Sequence, residues 1–235
     1  KILSATGDTR HDLLFIDSPT FLTNDPVTLV FQEGVESAFD RAADAPKTTV
    51  RHILDAPQYT ASAYSWGTDA AVKYAVHRTH PARDVLSESD HAEFEARVAV
   101  AGRTGFESTL AWLLARATRP VALTLSVQFA DPQHGPSHGC PTDDERIEWK
   151  TPWVVIGHVE LPPRGAPVEH AEALAFDPFH VSDPGLLPLG RLNRARLSAY
   201  ALSRRGRHHV NAVAETPHPF HPPEALRVAV VGGGA

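Results

Sequence analysis

The stretch ASAYSWGTDAAVKYAV, residues 61–76, decides the first part of the fold. Two apolar segments flank Gly67-Thr68-Asp69, and Gly and Asp adopt turn conformations at low cost. We therefore predict a β-hairpin with strands at Ala61–Trp66 and Ala70–Val76.

Working outward from this hairpin, residues 121–129 and 153–161 have the character of further strands. The first alternates around Leu123, Leu125 and Val127, as one face of a sheet requires. The other predicted elements are a short buried strand at His11–Ile16, helices at Val27–Ala45, Phe106–Ala117 and Leu192–Arg205, a helix capped at Ser87–Asp90 and running to about Val100, and a last strand at Leu226–Val231. Strands and helices follow one another without a regular βαβ rhythm, which predicts an α+β fold with a mainly antiparallel sheet.

Composition excludes several classes of protein. With 235 residues, 42% hydrophobic and 21% charged, the chain has enough apolar content for one globular domain or a compact pair. No run of 18 apolar residues exists, so no membrane span is expected. A net charge of −6 argues against a nucleic-acid partner, and the single Cys140 cannot form an internal disulfide.

The strongest chemical pattern is Arg196, Tyr200 and Arg207 in the basic helical segment. On a helix, Arg196 and Tyr200 share a face one turn apart, and a guanidinium beside a phenol stabilises the phenolate. A phenolate is a hard anionic ligand suited to ferric iron, and tyrosine is one of the proximal ligands that haem accepts. Arg207 lies about two turns further on, where its planar fork suits a carboxylate such as a haem propionate. The alternative interpretation is an ordinary solvated helix face.

The segments Ala173–His180 (ALAFDPFH) and Leu187–Tyr200 (LPLGRLNRARLSAY) resemble the haem-ligand region of the catalase superfamily. The sequence of the second segment is most similar to that of the small, catalase-related haem peroxidases. Residues 12–25, 65–73 and 143–149 resemble further family segments in the same order, so the likeness runs in pieces from Lys1 to about Asn211.

The resemblance implies a catalase-type antiparallel β-barrel with peripheral helices and a haem b cofactor. Tyr200 matches the axial ligand of the haem iron, Arg196 its catalytic charge partner, Arg207 the propionate ligand, and Phe21 an aromatic that packs on the haem face. The implied function is a haem-dependent peroxidase or catalase-like oxidoreductase, whose partner is a small-molecule peroxide.

The sequence also departs from the family. No histidine stands in the context of the distal catalytic His, Ile16 and Asp17 occupy the place of the distal Asn, and Leu202 replaces an Asp. Because the chain contains no methionine, we expect a processed chain or a fragment, with the first barrel strands and the distal His upstream of Lys1 and the barrel open along one edge. Catalysis would need that segment. The alternative is a non-catalytic haem-binding or degenerate catalase-fold protein that lacks the distal His.

Other features are assigned structural interpretations. We expect a haem domain at 1–215 and a Pro/Gly-rich tail at 216–235. His134, His138 and Cys140 are of metal-ligand types but lack a second pair, so we interpret them as a solvated loop. The acidic run 143–148 is interpreted as a solvated face or a set of salt-bridge partners. His180 is interpreted as a residue that hydrogen-bonds its loop, and the alternative is a role at the haem edge. The sequence does not decide between hydrogen peroxide and a lipid hydroperoxide as the substrate, and it does not give the oligomeric state. We expect a bacterial-type soluble protein, with either a cytoplasmic or a periplasmic location.

Overall fold

The computed structural model describes residues 2–3, 10–21, 52–101, 105–130, 142–163, 176–181, 183–210 and 227–230. The strands in these ranges are β1 (Ile2–Leu3), β2 (Arg10–His11), β3 (Gln58–Tyr59), β4 (Tyr64–Trp66), β5 (Ala70–Arg78), β6 (Val121–Phe129), β7 (Trp153–Leu161) and β8 (Arg227–Val230). The α-helices are α1 (Glu88–Ala101), α2 (Phe106–Arg116) and α3 (Arg191–Val210), with short 3₁₀ helices at Ile53–Asp55, Ala82–Val85 and Pro184–Leu186.

Six of these strands form one antiparallel sheet in the order β3-β5-β6-β7-β8, with β4 also paired to β5. The long central strands pair through registers such as Val72↔Phe129 and Leu123↔Val159, with a bulge between Leu125 and Ser126. β1 and β2 make a separate antiparallel pair. The predicted mixture of helices with an antiparallel sheet is confirmed.

The predicted barrel is not closed in the part of the chain that the structure describes. Closure needs hydrogen bonds between the outermost strands of the sheet. Here β3 and β4 border one side of β5, β8 borders β7, and these outer strands do not pair with each other, so the sheet is open.

The hairpin of residues 61–76 forms around Gly67–Asp69, with Tyr64 opposite Val72. Its first strand is shorter than predicted, because Ala61 has a positive φ of 55° and leaves the extended region. The predicted strand His11–Ile16 is wrong over most of its length. Only His11 lies in a strand, since the Asp12 amide donates to the His180 carbonyl and Ile16 forms a single bridge to Tyr59.

All helices predicted within the described residues are present. α1 and α2 match the prediction closely, and α3 continues to Val210, beyond the predicted end at Arg205. The helix predicted at Val27–Ala45 lies outside the described residues. No described helix is both long enough and apolar enough to cross a membrane.

The core has two principal parts. Phe94 and Val98 of α1 pack with Leu113 of α2 against Val121 at the start of β6. A second cluster lies on β4, β5 and β6 and comprises Tyr64, Val72, Tyr74, Leu125 and Val127. β8 lies within the predicted tail and extends the sheet, because it pairs with residues 157–160 of β7.

Candidate functional site

Arg196 and Tyr200 lie one turn apart on α3 and are in direct contact. Arg196 Nη2 donates to Tyr200 Oη at 2.9 Å, and the guanidinium carbon lies 5.3 Å from the centroid of the phenol ring. Both side chains are half-buried. The arrangement places a cationic hydrogen-bond donor directly on the Tyr200 oxygen.

Phe21 joins this pair from a distant part of the sequence. The Arg196 guanidinium lies 5.9 Å from the centroid of the Phe21 ring, and the Phe21 amide donates to the Glu145 carbonyl at 2.8 Å. The structure therefore gathers three of the four residues that the sequence proposed for the site. Arg207 lies on the same helix α3, but its side chain is outside what the structure describes.

Asn193 also belongs to this cluster, and the sequence interpretation missed it. It is fully buried, and its Oδ1 accepts from Arg196 Nη1 at 3.0 Å and from Ser62 Oγ at 3.2 Å. Its Nδ2 donates to the carbonyls of Leu189, at 2.6 Å, and Ala63, at 3.3 Å. A signal was available, since Asn193, Arg196 and Tyr200 follow one another at helical spacings of three and four.

Tyr64 is a second phenol in this region, with the opposite electrostatic setting. It is fully buried, and its Oη has no hydrogen-bond partner among the described residues. Burial raises the pKa of Tyr64 to about 12, although the positive charge of Arg196 acts in the lowering direction. Tyr64 is therefore a neutral phenol at physiological pH, whereas the Tyr200 oxygen has a guanidinium donor.

Glu145 corrects the interpretation of residues 143–148 as a solvated face. Asp144 and Glu148 are indeed at the surface, paired with Arg146 and Lys150. Glu145 instead is 2% exposed, and neither carboxyl oxygen has a hydrogen-bond partner among the described residues. The amide of Phe21 holds this segment inward, and burial raises the pKa of the Glu145 carboxyl above its ordinary value.

Glu145 also meets the start of α3. Gly190, the residue before the helix, has a φ of +90°, and a Cβ built there would lie 2.6 Å from Glu145 Oε1 and 2.6 Å from the Thr142 carbonyl oxygen. Only glycine suits both the positive φ and this close approach. The first turn of the helix that carries Arg196 and Tyr200 therefore depends on Gly190.

The remaining candidates lie elsewhere. His180 Nδ1 is 3.6 Å from Asp12 Oδ2, and the His180 amide donates to the Asp177 carbonyl within its own loop. The His134, His138 and Cys140 pattern lies outside the described residues, and within them no group of three or more His, Cys, Asp or Glu is placed to hold a metal ion. A surface cleft of about 450 Å³ between α1 and α2 contains none of the proposed site residues.

Solved structures with the same arrangement of elements are catalases. A fungal catalase superposes with a TM-score of 0.60 at 13% identity, covering 88% of this chain and 47% of that protein. Catalase A from Saccharomyces cerevisiae gives 0.57 at 12% identity, with 87% and 49% covered, and a bacterial catalase gives 0.56 at 16%, with 96% and 50% covered.

The chain has a catalase-like fold. It spans about half the length of these catalases. No protein-family model matches the sequence, and no curated protein matches it either.

Because the identities are low, the case for a cofactor in this catalase-like fold depends on the residues present. The Tyr200 oxygen, hydrogen-bonded by a guanidinium and only half-buried, has the chemistry of a ligand for ferric iron. Tyr64 is a poorer candidate for the ligand, because its side chain is fully buried and burial raises its pKa to about 12. The donor set on α3 thus fits a tyrosine-ligated haem, and it fits at Tyr200.

Proposed function

We propose that this chain forms the proximal side of a haem-dependent oxidoreductase of the peroxidase or catalase type, with Tyr200 as the axial ligand of the haem iron. One observation carries the proposal: in a catalase-like fold, Arg196 donates to the Tyr200 oxygen at 2.9 Å. When bound, haem b would supply the redox chemistry that breaks the O–O bond of a peroxide.

The residues of the chain would divide the binding work among them. Tyr200 would hold the iron, and Arg196 would orient the Tyr200 oxygen through its hydrogen bond. Phe21, whose ring lies beneath the same guanidinium, would present an apolar face to the cofactor and exclude water from it. Arg207 would bind a haem propionate through its planar guanidinium. Arg196 acts through Tyr200, so its effect on the reaction is indirect.

The substrate class that follows is a peroxide, either hydrogen peroxide or an organic hydroperoxide. Proton transfer between the two peroxide oxygens needs a distal acid–base group. The sequence has Ile16 and Asp17 where the family has its distal Asn. This departure favours a second candidate function, a haem-binding protein without peroxide chemistry. Adding peroxide to the haem-loaded chain distinguishes the two candidates, because only the first consumes it catalytically.

The direct test of the proposal is a titration with haemin followed by optical absorption. The parent chain is expected to bind haemin saturably and to give a high-spin ferric spectrum of the phenolate type, which Tyr200→Phe abolishes. Tyr59→Phe is the matched control, because Tyr59 is half-buried against Trp153 and lies outside the α3 cluster. A spectrum that is the same in the parent and in Tyr200→Phe would rule out Tyr200 as the ligand.

A further inference from the structure

Asn193 makes contacts that serve two separate purposes. Its amide nitrogen donates to the Leu189 carbonyl just before α3 and to the Ala63 carbonyl just before β4, and the second of these bonds anchors the first turn of the helix. The side-chain oxygen also contributes to this anchor, because it accepts from Ser62 Oγ. The same oxygen accepts from Arg196 Nη1 on the same helix, and this contact does not dock the helix.

The oxygen of Asn193 is itself held in place. Ser62 Oγ, which also lies 3.3 Å from the Thr60 carbonyl oxygen, donates to it at 3.2 Å, and both Ser62 and Asn193 are fully buried. Since the amide nitrogen is fixed by two carbonyls, the oxygen can point only towards Ser62 and Arg196. Ser62, Asn193, Arg196 and Tyr200 thus form a continuous chain of hydrogen bonds from a buried serine to a half-buried phenol oxygen.

Arg196 has two terminal nitrogens, and each of them has one partner in this chain of hydrogen bonds. Nη1 is taken by Asn193 and Nη2 by Tyr200. A guanidinium is planar, so fixing Nη1 also fixes the direction in which Nη2 points. An arginine on a half-buried helix face would otherwise sample several rotamers, at a cost to any single contact.

We propose that Asn193, held by Ser62, is the positioning residue that aims the Arg196 guanidinium at the Tyr200 oxygen. This inference rests on the proposed function, in which Tyr200 binds the haem iron. Partners of metal ligands commonly change metal affinity by about 10–100-fold when they are removed. We expect an effect of that size on haem affinity, transmitted through Arg196.

The test uses Asn193→Ser and Asn193→Asp. A serine on a helix donates to the carbonyl four residues earlier, here Leu189, so Asn193→Ser keeps part of the anchor while its short side chain no longer reaches Arg196. Asn193→Asp keeps the oxygen that accepts from Arg196 and Ser62. Ser198→Ala, at an exposed position on the same helix, is the control.

The first readout is made without haem. Nitrogen NMR of the Arg196 side chain, assigned with Arg196→Lys, reports whether rotation of the guanidinium is slowed by its two partners. The slow-rotation signals are expected in the parent, in Asn193→Asp and in Ser198→Ala, and are expected to be lost in Asn193→Ser. Unchanged signals in Asn193→Ser would overturn the proposal, even if that variant were less stable.

The second readout is haemin titration of the same variants. Asn193→Ser is expected to bind haemin about 10–100-fold more weakly and to lose the phenolate-type spectrum, while Asn193→Asp restores both. If the parent chain does not bind haemin, the proposed function fails, whereas the NMR result still decides whether Asn193 holds Arg196. If Asn193→Ser does not fold, Ser62→Ala takes its place, and unchanged Arg196 signals in that variant would overturn the proposal.

Discussion

The folded state disfavours the charged form of the Glu145 carboxyl. This carboxyl is buried against Gly190 at the start of α3, and neither oxygen has a hydrogen-bond partner among the described residues. Burial favours the protonated form and raises the pKa of Glu145, against the opposing effects of its own backbone amide and of the Lys73 charge. The folded state therefore binds more protons than the unfolded state above the ordinary pKa of 4.5, so Glu145 lowers stability as the pH rises through this range.

We predict that Glu145→Gln weakens this pH dependence. The free energy of unfolding of the parent is expected to fall more steeply than that of the variant as the pH rises above 4.5, because the glutamine carries no charge to desolvate. Urea denaturation over a series of pH values measures the effect. Glu148→Gln is the control, since Glu148 is exposed and paired with Lys150. Parallel curves for the parent and Glu145→Gln would contradict the prediction.

At this scale the sequence was informative where chemistry depends on local spacing. The contact between Arg196 and Tyr200 follows from a separation of four residues on a helix. Asn193 was missed although its spacing to Arg196 was visible, because its tertiary hydrogen bond comes from Ser62, which is 131 residues away in the sequence. Glu145 was misread because its acidic neighbours are exposed, and only the tertiary contact with Phe21 places it inside.

The candidate site depends on the helix α3, because this element carries Asn193, Arg196 and Tyr200. Its entry depends on Gly190, and its interior contains Gly206. The two glycines differ sharply. Gly190 has a φ of +90° and no room for a Cβ, whereas a Cβ at Gly206 would meet nothing within 4 Å.

Alanine substitutions at these two positions are therefore expected to have opposite effects. Gly190→Ala should lower the free energy of unfolding by at least about 1–3 kcal/mol, because of the strained φ and the contacts with Glu145 and Thr142. Gly206→Ala should raise it by about 0.5–1 kcal/mol, since alanine loses less entropy in a helix. Chemical denaturation of both variants provides the comparison. A neutral Gly190→Ala would show that the entry of α3 is not the tight junction described here.

The elements themselves were predictable where burial follows a simple period. β6 and β7 have the predicted bounds, 121–129 and 153–161, and the alternation of apolar residues indicated the first of them. The strand predicted from His11 to Ile16 failed because Asp12 bonds to a loop, through its backbone to His180 and through its carboxylate to Asp177, and beyond His11 the segment meets a strand only at the single bridge of Ile16. Its apolar side chains Leu13 and Phe15 nevertheless pack against the sheet. An apolar run alone does not show whether the backbone will hydrogen-bond to a loop or to another strand.

Two histidines are buried in separate regions of the part of the chain that the structure describes. His11 lies beside Tyr64 and Tyr74, and His52 packs against Phe94 of α1. Burial lowers the pKa of both below the ordinary 6.5, against the opposing charges of Asp12 and Asp55. The folded state therefore binds fewer protons than the unfolded state below this pH, and stability falls as the pH is lowered through 6.5.

We predict that His11→Phe reduces the loss of stability on acidification. Neither nitrogen of His11 has a hydrogen-bond partner among the described residues, so a phenylalanine removes a proton-binding group without breaking a bond. Thermal unfolding on both sides of pH 6.5 measures the difference, with His80→Gln as the exposed control. An equal acid sensitivity in the parent and in His11→Phe would contradict the prediction.

At the scale of the whole chain, the catalase-like fold was predictable from colinear motifs although identity to the solved catalases is only 12–16%. Each motif describes a local structure, and the motifs follow one another in this sequence in the same order as in the family. The barrel was expected to be open along one edge, and the described strands do form an open sheet. Its outer strands do not pair with each other, so the sheet is not shown to be part of a barrel.

The central claim is that Tyr200 is the ligand of a haem iron, and resonance Raman spectroscopy tests it most directly. The haem-loaded chain is prepared with ordinary tyrosine and with ring-deuterated tyrosine, alongside Tyr200→Phe. The account predicts enhanced phenolate vibrations that shift on deuteration and disappear in Tyr200→Phe. A haem-loaded chain without phenolate vibrations, or with the same vibrations in Tyr200→Phe, would contradict it.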